Sequence, residues 1–88
     1  MYVVIAYDIS IERVNKVKGY LRTQLTWVQN SLFEGELTNS RFLEVKSRLA
    51  EFVQSPDDSI IIYILSDKRF VSREVMGMKK GSPEDTIL

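Results

Sequence analysis

Two runs near opposite ends of the sequence, Tyr2-Val3-Val4-Ile5-Ala6-Tyr7 and Ile60-Ile61-Ile62-Tyr63-Ile64-Leu65, are apolar throughout and rich in β-branched residues. Each is far shorter than the roughly 20 apolar residues of a membrane span, and each reads as a strand. A strand with one face in water alternates apolar and polar side chains. These two do not alternate, so both faces of their sheet are expected to be covered. The chain has 88 residues, which makes one domain spanning 1–88, with 66–88 as an extension beyond its last long strand.

Between the two runs the periodicity changes. Val14, Val17, Leu21 and Leu25 recur at helical spacing and predict a first helix over Ile11 to Leu25, with Ser10 as its N-cap. Trp27-Val28 and Ser31-Leu32-Phe33-Glu34 flank a tight turn in which Asn30 supplies the backbone conformation. The second arm runs to about Leu37, with Gly35 expected at a bulge. Thr38 or Asn39 caps a second helix whose apolar face is Phe42, Val45, Leu49, Phe52 and Val53, and Ser55-Pro56 ends it. A short extra strand is expected at Val71 to Met76, with Ile87-Leu88 closing the chain. The order of strand, helix, hairpin, helix and strand is the ferredoxin-like βαββαβ arrangement of an α+β sandwich.

Two helices cover one face of a sheet. The other face needs a second layer, and the economical source is a second copy, sheet face to sheet face, in a symmetric homodimer. Ile87-Leu88 is apolar enough to add to a partner's sheet edge. The competing arrangement has the C-terminal tail folding back on its own sheet. A charge placed at Ile62 is the substitution the sequence suggests for testing the dimer.

Composition excludes most active-site chemistry. There is no cysteine and no histidine, so thiolate sites, disulfides and imidazole bases are all absent. Chemistry falls to carboxylates, hydroxyls, Lys, Arg and Tyr, and a bound metal would be a hard, oxygen-ligated ion such as magnesium or manganese. Asp8 ends the first apolar run, where its carboxylate is aimed into a loop. It reads either as a cation ligand, doubled across a two-fold axis, or as a turn or capping residue. Ser10 has no base beside it and reads as a cap, while Trp27 and Phe33 read as core or as stacking surfaces.

Net charge is zero, with 12 basic and 12 acidic residues. The distribution is uneven: Arg13, Lys16, Lys18 and Arg22 form an acid-free stretch, and Lys68, Arg69, Arg73, Lys79 and Lys80 form a second basic cluster. Folded, these read either as nucleic-acid-binding stripes or as scattered solvated charge. The N-terminal run lacks a preceding basic region, so a cytoplasmic chain without signal peptide or membrane contact is expected.

Three blocks, Tyr7-Asp8-Ile9, the hairpin Trp27 to Leu37, and Asp58-Ser59-Ile60-Ile61-Ile62-Tyr63, resemble the CRISPR-associated protein 2 family in order and spacing over nearly the whole chain. The resemblance implies a homodimer that works in spacer acquisition, bracing foreign DNA and holding the family's integrase. It also implies magnesium-dependent endonuclease activity on single-stranded RNA or double-stranded DNA. The family's strand-end aspartate falls on Asp8, and its hairpin serine and phenylalanine fall on Ser31 and Phe33 as catalytic candidates. Its early helix arginine matches Arg13 loosely, with Lys16 as the alternative. A ribonuclease toxin of the virulence-associated protein D type is the second reading.

Overall fold

A computed structural model describes residues 1–78 and 80. Its elements are β1 (Tyr2–Asp8), α1 (Ile11–Arg22), β2 (Thr26–Gln29), β3 (Leu32–Glu36), α2 (Asn39–Ala50) and β4 (Ser59–Leu65), followed by a 3-10 turn at Lys68–Phe70. The sheet runs β2-β3-β1-β4, and every neighbouring pair is antiparallel. This is the ferredoxin-like α+β order expected, with β1 central.

β1 pairs along its whole length with β4, from Tyr2 opposite Leu65 to Asp8 opposite Ser59. On its other side it pairs with β3, from Tyr2 opposite Glu36 to Ala6 opposite Leu32. Side chains alternate along a strand, so these registers sort the residues by face. Val3, Ile5, Tyr7, Phe33 and Ile62 lie under the helices. Tyr2, Val4, Ala6, Asp8, Leu32, Glu34, Ile61 and Tyr63 lie on the face away from them.

The core forms under the helices. Val17 and Leu21 of α1 and Phe42, Val45 and Leu49 of α2 bury against Val3, Ile5 and Phe33. Thr38 caps α2 by accepting a hydrogen bond from the Arg41 amide at 3.1 Å. Val53, expected on the apolar face of α2, is exposed instead, because the helix ends at Ala50 and the chain then turns. α1 ends at Arg22 rather than Leu25. The Gln24 and Leu25 amides both turn back to the Leu21 carbonyl, and Leu25 is laid over the sheet at Gly35.

Gly35 is not a bulge. It pairs in register with Val3, and a Cβ there would meet Leu25 Cδ2 at 3.0 Å, so its bareness admits Leu25. The bulge lies on the facing strand, where the register shifts between Trp27 and Gln29. Asn30 has φ +45°, the left-handed turn expected of it.

The extra strand expected at Val71 to Met76 is not formed. This segment instead reaches the open face of its own sheet, where Arg73 pairs with Glu34 and Glu34 accepts a hydrogen bond from the Tyr2 hydroxyl. That contact lays the segment over one part of the open face, beside Tyr2, and leaves Ile61 and Tyr63 exposed. Lys79 and Ile87-Leu88 lie outside the described residues. Ile62, the position first suggested for a charge, packs against the core on the helix face, so Ile61, 49 % exposed on the open face, is the right place for that test.

The fold analysis gives one expectation. Phe33→Ala empties a fully buried site at the centre of the core. It should lower unfolding free energy by about 3–5 kcal/mol, read from a urea titration. A loss no larger than that of a surface substitution would show that the core is not centred there.

Candidate functional site

The C-terminal end of β1 gathers several of the residues singled out in the sequence. Tyr7 and Asp8 are consecutive, so alternation sends the Tyr7 ring under the helices and the Asp8 carboxylate to the open face. Tyr7 is buried and stacks on Phe33, with ring centroids 6.2 Å apart and planes at 24°. Burial is the main effect that raises the Tyr7 phenol above its ordinary pKa, against smaller lowering effects from the Ser31 side chain and the Arg22 charge. Ser31 lies in the hairpin turn, half-buried, and its carbonyl accepts the Tyr7 amide at 3.1 Å. The β2–β3 turn is thereby tied to the end of β1.

Asp8 is exposed, and its carboxylate accepts no hydrogen bond among the described residues. It is not a helix cap. Ser10 occupies the N-cap position of α1, yet its side chain makes no cap hydrogen bond. Phe33 is fully buried, so it acts on this end of the sheet from within the core, where Tyr7 stacks on it. Among the described residues no group of three carboxylates could hold a metal ion within one chain.

The four basic residues of α1 do not make one stripe. At 3.6 residues per turn, Arg13 and Lys16 fall on one side of the buried Val17–Leu21 line, and Lys18 and Arg22 on the other. Lys16 and Arg22 are exposed. Lys18 lies over the half-buried Trp27 ring at 5.4 Å, a cation–π contact that holds it at the β2 edge. Arg13 is committed inside the chain. Its Nη2 pairs with Asp58 Oδ2 at 2.5 Å and its Nε donates to the Phe52 carbonyl at 3.2 Å, which removes it from the free phosphate contacts.

Asp58 is the residue sequence reasoning passed over. Its side chain is 1 % exposed. Its carboxylate accepts the backbone amides of Ser10, Gln54 and Ser55, each at 3.0 Å, besides Arg13. The Gln54 amide is the largest cause holding this carboxyl well below the usual carboxylate range; burial opposes it, and Ser10, Arg13 and Ser55 add to it. The available signal was its place just ahead of an apolar strand, following Pro56-Asp57, where an acid can gather turn amides.

A ferredoxin-like α+β chain whose second sheet face is largely apolar and only partly covered, with a strand-end aspartate exposed on that face, defines the class. Similarity places it further. The family described as CRISPR associated protein Cas2 matches residues 1–73, and the chain belongs to that family. A relative from Methanosarcina acetivorans described as "CRISPR-associated endoribonuclease Cas2" is 49 % identical over 87 residues, 99 % of this chain and 100 % of that protein. One from Thermococcus kodakarensis with the same description is 47 % identical over 99 % of this chain and 100 % of that protein. A crystal structure of Cas2 superposes with a TM-score of 0.86 at 45 % identity, covering 100 % of this chain and 98 % of that one. Streptococcus pyogenes Cas2 superposes with a TM-score of 0.73 at 32 % identity, covering 88 % of this chain and 100 % of that one. Among the described residues no helix is long and apolar enough to cross a membrane.

Acid stability should report Asp58. Its folded-state pKa lies below its unfolded value, so the unfolded chain binds the extra proton and stability rises with pH across the gap between the two. The Asp58 contribution should be intact above pH of about 4, the ordinary aspartate value, and lost as pH falls through the depressed one. Asp58→Asn should flatten this part of a plot of unfolding free energy against pH. An unchanged slope would show that the cradle does not form.

Proposed function

We propose that this chain is a CRISPR adaptation protein acting as a symmetric dimer, open sheet face to open sheet face, that scaffolds foreign DNA and the family's integrase during spacer acquisition. The same dimer carries metal-dependent endonuclease activity centred on Asp8. The observation that supports this reading is that Asp8 shares its face with Val4, Ala6 and Ile61. A second copy laid on the apolar patch then approaches from the side on which the carboxylate is bare. The family membership favours this reading over the toxin alternative.

The donor set suits a hard cation only when doubled. One carboxylate per chain is a partial site, but magnesium and manganese accept one or two carboxylates with waters and phosphate. Two Asp8 side chains across a two-fold axis would hold the ion. When bound, it supplies charge stabilisation at the phosphate and a water of lowered pKa. The chain's own contribution is to place that carboxylate. The hairpin, through Ser31, and the Phe33–Tyr7 stack fix the strand end that carries it. The phosphate contacts in this reading are Lys16, Lys18 and Arg22, with Lys68 and Arg69 exposed on the C-terminal segment.

The unaltered protein should be a dimer by light scattering at micromolar concentration, and Ile61→Lys should give a folded monomer. Burial of the apolar face stabilises association by about 25 cal/mol per Å², less the cost of immobilising two molecules. A monomeric unaltered protein would sink the dimer.

Duplex DNA affinity should be sequence-tolerant and salt-dependent. Each of Lys16→Ala, Lys18→Ala and Arg22→Ala should lower the salt slope by about one. Arg13→Ala should lower thermal stability instead. Affinity indifferent to salt would count against phosphate contacts altogether.

Catalyst and scaffold separate at Asp8. Asp8→Ala should abolish magnesium-dependent cleavage while leaving the fold intact and spacer acquisition in cells active, since Lys and Arg contacts do not need the ion. Retained cleavage would remove Asp8 from the site. Loss of both activities in a folded dimer would make catalysis the main role.

A further inference from the structure

The stretch Asp8-Ile9-Ser10 is held from both ends by one short piece of chain. Asp8 pairs with Ser59 in the ladder. Two residues on, the Ser10 amide donates to Oδ1 of Asp58, the residue next to Ser59. Ile9 between them is buried in the core. The other carboxylate oxygen of Asp58 takes Arg13 together with the Gln54 and Ser55 amides, and Arg13 is itself steadied on the Phe52 carbonyl. One buried carboxylate therefore joins the start of α1, the turn after α2 and the start of β4 around the loop that begins at Asp8.

Such a centre is a poor device for stability alone. Removing a charged pair from water is costly, and apolar residues of like volume often serve as well. What it does supply is fixed geometry. Its bonds are directional, and one of them falls two residues from a carboxylate that has no bond of its own.

We propose that Asp58 and Arg13 are positioning residues for Asp8, holding the Asp8-Ile9-Ser10 backbone so that the Asp8 carboxylate is presented on the open face to a divalent cation. This rests on the reading of Asp8 as a cation ligand, and it gives the first-helix arginine a role that does not involve touching nucleic acid. Groups that orient a ligand without touching the metal change metal affinity by about 10–100-fold when removed.

The test uses manganese(II) alone as probe on the full chain, with free ion followed by electron paramagnetic resonance, below the melting temperature of every variant. Asp8→Asn should abolish binding. Asp58→Asn and Arg13→Gln should weaken it by about 10-fold or more, and Arg13→Lys should recover part of the loss. If Asp58→Asn and Arg13→Gln lower the melting temperature yet bind manganese like the unaltered chain, the pair is structural and the proposal is overturned. If the unaltered chain takes up no manganese, or Asp8→Asn takes up as much, the reading of Asp8 fails and this inference falls with it. Should Asp58→Asn not fold, Arg13→Gln decides with the same two outcomes, because it leaves Asp58 its three backbone donors.

Discussion

A chain with two helices can cover only one face of a four-stranded sheet, and the rest of this structure follows from that limit. β1 is central, and its residues are apolar on both sides. On one side Val3 and Ile5 are wholly buried beneath α1 and α2. On the other, Val4 and Ala6 remain half-buried, with Ile61 and Tyr63 of β4 exposed beside them. An apolar sheet face of this kind is the feature that marks association surfaces. The proposed dimer and the doubled Asp8 both derive from it.

The sequence carried most of the architecture because the strong signals were local. Unbroken apolar runs rich in β-branched residues marked β1 and β4, helical spacing marked Val17, Leu21, Val45 and Leu49, and Asn30 marked its own turn. The errors fell where a distant contact overrode local preference. α1 stops early because Leu25 is needed over Gly35. Gly35 suggested a bulge, but the bulge sits on the opposite strand, and strand pairing leaves no mark in one segment alone. Val71 to Met76 has strand-forming residues but, among the described residues, no strand pairs with it, so its propensity finds no ladder.

The site was legible in part. Asp8 was visible as an acid at the end of an apolar run, and Ser31 and Phe33 came from resemblance. Their separation into an exposed carboxylate, a turn residue and a core ring depends on strand parity and burial, which need the registers. Arg13 and Asp58 lie 45 residues apart, so no local pattern joins them. Read by composition, Arg13 is one more cation on a basic helix. In the fold it neutralises a buried acid, and the basic surface of α1 is correspondingly smaller than the sequence suggests.

The pairing of Arg73 with Glu34 has a consequence for whatever covers the open face. Apolar surfaces alone are slippery, since aliphatic side chains pack acceptably at many offsets. Glu34 is almost fully buried, bonded to Tyr2 and matched by a cation from the C-terminal segment, so it is a satisfied charge set among apolar side chains. Both partners belong to the same chain, so any second layer meets this carboxylate already neutralised. Lifting the C-terminal segment off the sheet would strip Glu34 of its cation, so the carboxylate acts as a catch that keeps Arg73 on this face.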